Sequence, residues 1–501
     1  KERERENNHI KIVKVKCKNQ DLDGKTIRDN LDFLTKHIQK HINKSKYEDE
    51  YIKVFWSGVR QGELSGSGDS WHEALASGIR TESCQMVAPL KEALNIYQGI
   101  VPNPDRTTPK NITALPADRY IKPDEGVFVF NQAQINILRI SEDEHKLVKP
   151  TYRNSHICLY LVDIPESEKI FLLYVTKKDS LDKYPNVENH LNKYREILER
   201  RREVREGKIP WYSLHWPRDK RLFETPKIVC SNWGNDWQPF ALQEAGFYER
   251  RDITLFVPRE GVNESLLYFL GLLNSKLLVG WVKENLRQRG YMRQKLQEQI
   301  PIRRIDFDKT EDVQLHDEIV QKVKAIREKM AELAGYSKYF RGIRLTRLKF
   351  EEPLSDINSE AVVQSLPPQN KFSLRTHPQI RINHSLDFQE ANFILSRVGE
   401  VYLTLEGAEL KLYSKGRKIL FINGEESLLK IIAQILANYQ GDHWASIKEM
   451  PFIPQSSEEF ETKKQDILGT VSKLRAQIQE LQSLIDEMVF RLYGVPGGLS
   501  G

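Results

Sequence analysis

Apolar positions recur along this chain at two spacings, and the switches between them divide it. Ile10–Val15 and Tyr51–Trp56 read as strands, and Thr26–Ile42 between them carries Ile27, Leu31, Leu34 and Ile38 at helical spacing. From about 85 to 180 the strand-like runs Gly126–Phe130, Ile157–Val162 and Ile170–Val175 alternate with turns rich in Pro, Asn and Asp, which predicts a mostly β region. A basic helix is expected at about 187–206, with further strands to about 257. Ser265–Asn285 then predicts an apolar helix, Pro301 a stop, and Val313–Leu333 a long helix.

Residues 335–455 repeat the plan on a smaller scale. Strands are expected at Ile380–Ile382, Val401–Leu405 and Lys418–Ile422, then an apolar helix at Ser427–Tyr439. Glu264-Ser265-Leu266-Leu267 opens the first apolar helix and Glu426-Ser427-Leu428-Leu429 the second. Gln299-Ile300-Pro301-Ile302 closes the first unit and Glu449-Met450-Pro451-Phe452 the second. Recurrence in one order points to a duplicated architecture. Ile467, Val471, Leu474, Ile478, Leu481, Ile485, Met488 and Leu492 follow 4,3 spacing, as do Ile319, Val323, Ile326, Met330 and Leu333. Such seams suit either a helix pair acting as a spacer or helices packed on their own core.

Composition narrows the class. At 501 residues with 39% hydrophobic and 29% charged content, the chain predicts a soluble protein of several domains. Cys17, Cys84, Cys158 and Cys230 lack metal-site spacing, which argues against a disulfide framework or structural zinc and for a reducing interior. Leu266–Val282 is interrupted by Asn274, Ser275 and Lys276, so a buried helix is expected and no membrane partner. A cytoplasmic setting is expected; the resemblance given below implies a prokaryotic one. The start at Lys1 suggests preceding residues, and Gly497–Gly501 reads as a frayed or appended tail.

The net charge of +6 says little, but its distribution says more. Lys193–Lys208 holds seven basic residues, including Arg200, Arg201 and Arg205, against four glutamates. Lys283–Arg304 holds seven, including Arg287, Arg289 and Arg293, against two glutamates. Lys338–Lys349 holds five, including Lys338, Arg341 and Arg344, and no acid. Trp211, Tyr212, His215, Trp216, Tyr291, Tyr336, Tyr339 and Phe340 lie within or beside these runs. Arginine forks suit phosphate oxygens and guanine edges, and aromatic faces suit exposed bases. The first run also fits a solvated face of i,i+4 ion pairs.

Catalytic chemistry is not found. No Asn-Pro-Pro-Tyr loop for a flipped adenine occurs, Pro367-Pro368-Gln369-Asn370 has the wrong order, and Gly66-Ser67-Gly68-Asp69 reads as a plain turn. Pro104-Asp105 and Glu144-His145-Lys146 fit a nuclease frame only loosely. His37 and His41 lack a third metal ligand nearby.

Several ordered stretches carry a resemblance. Tyr194-Arg195…Leu198-Glu199-Arg200-Arg201, Trp211-Tyr212-Ser213-Leu214-His215-Trp216-Pro217-Arg218 and Phe223…Pro226-Lys227-Ile228-Val229 are similar to the TaqI-like C-terminal specificity domain of adenine-specific DNA methyltransferases and fused type IIG restriction–modification enzymes. Leu94–Ile100, Val148–Ile157, Leu272-Leu273-Asn274-Ser275-Lys276, Gln299–Ile302 and Ile485–Gly494 resemble further segments of such enzymes. The resemblance implies a module that clamps double-stranded DNA against a catalytic methyltransferase region, which this sequence does not match. S-adenosylmethionine belongs to that region, and no cofactor or metal is expected here.

The fold class expected is α+β. Two mixed, β-rich recognition units are each followed by a long heptad helix serving as a spacer, and the trailing edge of an α/β methyltransferase domain precedes them. Boundaries fall at 1–85 (trailing α/β part), 86–308 (TaqI-like target recognition domain), 309–335 (spacer helix), 336–456 (second, smaller α/β or β-rich unit) and 457–501 (C-terminal heptad helix and tail). The residues expected at DNA are Arg200, Arg201, Arg205, Tyr212, His215, Arg218, Lys227, Asn232, Trp233, Arg287, Arg289, Tyr291, Arg293, Lys338, Arg341 and Arg344, with Asn235 and Asp236 on the same polar turn as Trp233. Trp211 and Trp216 are expected in the core. Two other classes stay open: a nuclease within 85–180, and a helical assembly subunit of a phage-defence complex.

Overall fold

The computed structural model describes residues 9–15, 35–44, 46–48, 52–60, 86–113, 121–232, 237–286, 297–340, 343–347, 363, 366, 380–382, 401–414, 417–438 and 453–494. β1 (His9–Val15), β2 (Tyr47–Glu48) and β3 (Ile52–Arg60) form an antiparallel sheet in the order β1-β3-β2. Both strands expected in this region are present. Residues 35–41 form the described part of the expected helix, and Gly66–Asp69 lie outside the described residues.

The next strands are β4 (Val87–Pro89), β5 (Leu94–Gln98), β6 (Val129–Asn131), β7 (Val148–Thr151), β8 (Tyr160–Leu161), β9 (Ile170–Leu173), β10 (Lys227–Ser231), β11 (Phe240–Gln243), β12 (Ile253–Pro258) and β13 (Pro301–Arg303). The central sheet runs β5-β12-β10-β11-β8, antiparallel except for the β11–β8 pair. Strand alternation places this sheet between two cores. Ile228, Cys230, Phe240, Leu242 and Phe256 face one core, and Val229, Ala241, Ile253 and Leu255 face the other. Burial on both faces explains why β10 reads as the unbroken apolar run Ile228-Val229-Cys230. A smaller sheet, β6-β9-β7, covers the second core.

The basic helix expected at 187–206 resolves into three short ones: α1 (Pro185–Asn192), α2 (Arg195–Glu199) and α3 (Arg202–Arg205). Tyr194 and Arg201 leave helical geometry, Arg201 with ψ 137°. The apolar segment likewise divides, into α4 (Leu266–Leu273) and α5 (Lys276–Leu286), bent by 58° between Leu273 and Lys276. Asn274 makes the elbow: its amide donates to Phe240 O at 2.9 Å, and its Oδ1 accepts from Phe240 N at 3.0 Å. Among the described residues no single helix is long and apolar enough to cross a membrane.

α6 (Thr310–Ser337) follows. Beyond it lie β14 (Ile380–Ile382), β15 (Val401–Glu406), β16 (Glu409–Ser414), β17 (Arg417–Asn423), α7 (Glu426–Asn438) and α8 (Ser457–Leu492). The second sheet is wholly antiparallel, in the order β14-β17-β16-β15, so its topology differs from that of the central sheet. β16 was not among the expected strands, and Glu449–Phe452 lie outside the described residues.

α6 and α8 lie side by side and antiparallel. Lys329 Nζ donates to Gln477 Oε1 at 2.8 Å, while the Tyr493 hydroxyl, just past α8, reaches Pro301 O at 2.9 Å ahead of α6. The seam residues Ile319, Val323, Ile326, Met330 and Leu333 are buried, as are Ile467, Val471, Leu474, Ile478, Ile485, Met488 and Leu492. These helices do not stand apart as a free spacer, because they share one core with the central sheet. α4 comes close enough that a side chain at Gly271 would meet Ile319 Cγ2 at 2.8 Å and Val323 Cγ2 at 3.0 Å.

One contact ties the end of the chain to the elbow. Asp486 Oδ1 accepts from Lys276 N at 2.8 Å, serving the first turn of α5 from 210 positions away. Asp486→Ala should lower the unfolding free energy by about 1–2 kcal/mol, as loss of a helix N-cap does, whereas Asp486→Asn should retain most of it. Denaturant titration checks this, and an unchanged midpoint for the alanine variant would count against the docking.

Candidate nucleic-acid interface

Three adjacent strands of the central sheet make the same change at the same end. On the face carrying Leu94 and Ile96, Ile228 and Cys230, and Phe256, the next positions are Gln98 on β5, Asn232 after β10 and Thr254 on β12. The apolar face thus becomes polar where the strands meet the surface. The Thr254 hydroxyl donates to Asn232 Oδ1. Asn232 Nδ2 donates to Arg251 O at 2.9 Å, and Gln98 Nε2 donates to the same carbonyl at 3.1 Å.

Arg218 joins this row from the signature loop. Its Nη2 donates to Gln98 Oε1 at 3.1 Å, its Nε donates to Gly99 O at 3.2 Å, and its carbon Cζ lies 5.4 Å from the Trp216 ring centre. Burial lowers the guanidinium pKa. The backbone at Arg218 has φ +62°, a left-handed conformation that non-glycine residues rarely adopt. Trp216 is 49% exposed and Tyr97 38%, so Trp216, expected in the core, faces solvent. Gly99 fits because a side chain there would overlap the carbonyl oxygens of Glu249 and Arg250. That close approach lets Ile100 N donate to Glu249 O at 2.8 Å.

Beneath this surface lies a buried ion pair. Lys227 Nζ and Glu249 Oε1 are 3.4 Å apart, both side chains are fully buried, and the Tyr152 hydroxyl donates to the same carboxylate at 3.2 Å. Burial pushes the Glu249 carboxyl up to about 7, against the pull of Lys227, and burial lowers the Lys227 ammonium. Glu249 opens the stretch Arg250–Asp252. There Arg250 turns onto Asp105 while Arg251 is exposed.

The structure distributes the expected contact residues unevenly. Arg200 and Arg205 are exposed on the short helices. Arg201 corrects the expectation: its guanidinium is buried and donates to the carbonyls of Leu198, Asn103, Ser213 and Trp211, so it holds the signature loop together. Lys227 is a second correction, because its ammonium is enclosed with Glu249. Arg344 is turned onto Glu168, which also pairs with His156 Nε2 at 2.8 Å. Lys338 is exposed, with Nζ 5.1 Å from the Tyr339 ring centre.

Tyr212 is half-buried and its hydroxyl donates to Asp179 O at 2.8 Å. His215 Nδ1 lies 3.3 Å from Glu203 Oε2, outside hydrogen-bond geometry, and burial lowers the imidazole pKa. Trp233, Asn235, Asp236, Arg287, Arg289, Tyr291, Arg293 and Arg341 lie outside the described residues. Gln98, Thr254 and Arg251 were missed. The only signal for them was the position of Gln98 just before Gly99 in Leu94–Ile100, a stretch noted above for its resemblance to a segment of such enzymes.

The loosely fitted nuclease carboxylates have structural roles. Asp105 pairs with Arg250. Glu144 is enclosed and accepts from Ser141 N, Asn186 N, Asn186 Nδ2 and Val187 N at 2.8–3.1 Å. Its burial alone would raise the pKa, but these donors hold it at about 2. Among the described residues no group of three or more His, Cys, Asp or Glu side chains is placed to hold a metal ion.

Residues 177–302 match the model of the TaqI-like C-terminal specificity domain. Type II methyltransferase M.HindII of Haemophilus influenzae is 28% identical over 165 residues, covering 31% of this chain and 32% of that protein. Type II methyltransferase M.HincII of Haemophilus influenzae is 28% identical over 151 residues, covering 28% of this chain and 30% of that protein. The match thus spans about a third of the length of these relatives. The solved structure of the type IIL restriction–modification enzyme MmeI in complex with DNA aligns with a TM-score of 0.33 at 12% identity, over 60% of this chain and 35% of that one. Residues 177–302, which hold the loop from His215 to Arg218, β10 to β12 and the α4–α5 elbow, are thus the part of the chain that is similar to a TaqI-like C-terminal specificity domain.

Proposed function

We propose that this chain recognises a specific sequence in duplex DNA, as the target-recognition module of an adenine-specific DNA methyltransferase or a fused restriction–modification enzyme. The observation that carries this reading is the polar end of the central sheet. Gln98, Asn232 and Arg218 are tied together there beside the exposed Trp216, within and next to the stretch that matches a specificity domain. Amide and guanidinium groups in fixed positions suit base edges, while exposed cations such as Arg205 and Arg251 suit phosphates. Methyl transfer from S-adenosylmethionine belongs, in this reading, to a catalytic region with which the module clamps the duplex.

The test is duplex binding by the full chain, titrated in salt. Affinity should fall steeply as salt rises. Trp216→Ala should weaken binding by about tenfold with the salt slope unchanged, because the ring is neutral. Arg205→Ala should instead flatten the slope by about one unit. Absence of binding at low salt, or indifference to both substitutions, would overturn the reading.

A further inference from the structure

Arg218 is held by one edge of its guanidinium and offers the other. The group is planar, with its N–H donors in a rigid fork. Nε–H and one Nη2–H share the inner edge, and they donate to Gly99 O at 3.2 Å and Gln98 Oε1 at 3.1 Å. The outer edge carries a parallel pair, one N–H from Nη1 and one from Nη2. Among the described residues that pair has no acceptor.

The surroundings fix where the outer edge points. Gln98 Nε2 donates to Arg251 O at 3.1 Å, which turns the amide oxygen toward Arg218. The loop is pinned on both sides of the residue. Val101 N donates to Trp216 O at 3.1 Å and Trp216 N to Val101 O at 3.0 Å, while the Tyr174 hydroxyl donates to Arg218 O at 3.3 Å. The half-exposed Trp216 ring, centred 5.4 Å from Cζ, borders the guanidinium. A φ of +62° at a residue with a side chain persists only where such contacts impose it. The fork is therefore set before any ligand arrives, which lowers the cost of ordering it on binding.

Two parallel donors in one plane match two acceptors in one plane. In the major groove guanine presents such a pair, O6 and N7, whereas adenine places an amino donor where O6 would be. A phosphate also offers two oxygens, but the neighbouring groups disfavour it. Gln98 Oε1 and Gly99 O lie against the guanidinium and would face the charged oxygens. Beside guanine O6 stands instead the amino group of the paired cytosine, which is a donor. The rest of the row, Asn232 and Thr254, is neutral.

We propose that Arg218 determines specificity by gripping O6 and N7 of one guanine in the major groove, with Gln98 as the positioning residue that aims it. The inference rests on the reading of this chain as a DNA-recognition module and names a base pair that the module reads.

The test uses the full chain and the duplex it selects from a randomised library. Each guanine is replaced in turn by 7-deazaguanine, which pairs normally but lacks N7. One replacement should weaken binding by about tenfold. Arg218→Lys keeps the charge but not the fork, so it should be indifferent to that replacement with its salt slope unchanged. Gln98→Ala should lose most of the sensitivity at the same guanine, and Gln98→Glu, which still offers Nη2 an acceptor, should keep it. Each protein is compared with itself on two duplexes, so a loss of stability lowers both affinities and leaves their ratio. A selected sequence without guanine, indifference of the unsubstituted chain to every replacement, or an effect that persists in Arg218→Lys would overturn this proposal alone. Selection of no sequence would overturn the recognition reading and this proposal with it.

Discussion

Lys227→Met is expected to lower the unfolding free energy by about 3–5 kcal/mol above about pH 7, where Glu249 must either stay buried as a carboxylate without its counter-charge or take up a proton. Enclosure is what makes the effect large: both side chains are fully buried, and Glu249 Oε2 has no hydrogen-bond partner among the described residues. Lys227→Met/Glu249→Gln should recover most of the loss, since an apolar and a neutral side chain remove the uncompensated charge. Denaturant titration of the three proteins measures this directly. If Lys227→Met keeps its stability but loses DNA affinity, the lysine reaches DNA and its placement in the core is wrong.

The same pair predicts a dependence on pH. Burial raises Glu249 from an ordinary 4.5 to about 7. The folded state therefore holds a proton that the unfolded chain has released. The associated stability is fully present below about pH 4.5 and is lost as pH rises through about 7. Glu249→Gln should flatten the stability profile over that window.

Gly99→Ala is expected to cost about 3 kcal/mol, the upper part of the range for overpacking. A methyl there would overlap the carbonyl oxygens of Glu249 and Arg250, which are backbone atoms and cannot rotate away as a side chain would. The clash would push β5 off the 249–252 loop and break the bond from Ile100 N to Glu249 O. Arg218 would lose its register on Gln98 and Gly99 O. Protein that remains folded should bind DNA more weakly, read as a lower unfolding midpoint together with reduced affinity. A Gly99→Ala protein with native stability and affinity would contradict the close approach.

The seams of α6 and α8 were legible in the sequence because a helix buries one face at a fixed period, whatever it packs against. What they pack against was not legible, since Gly271 and the central sheet lie far away in the chain. The strands β6, β8 and β9 were legible as apolar runs, and further strands were expected up to about 257, where β10 to β12 lie. The polar end of the central sheet was not, because Gln98 meets its partners Arg218 and Arg251 from 120 and 153 positions away. Arg201 shows the opposite failure. Within a charge run it looks like its neighbours, and one extended ψ angle turns its guanidinium inward onto four carbonyls. Asp486 sits among ordinary helix charges, and only the fold reveals that it serves the first turn of another helix.

Selection of duplexes from a randomised library by the full chain tests the central claim most directly. The account predicts enrichment of one sequence, with each changed base pair within it weakening binding by roughly tenfold or more (about 1–3 kcal/mol), and loss of that discrimination in Arg218→Ala. Equal binding of all duplexes, with no sequence enriched, would contradict it.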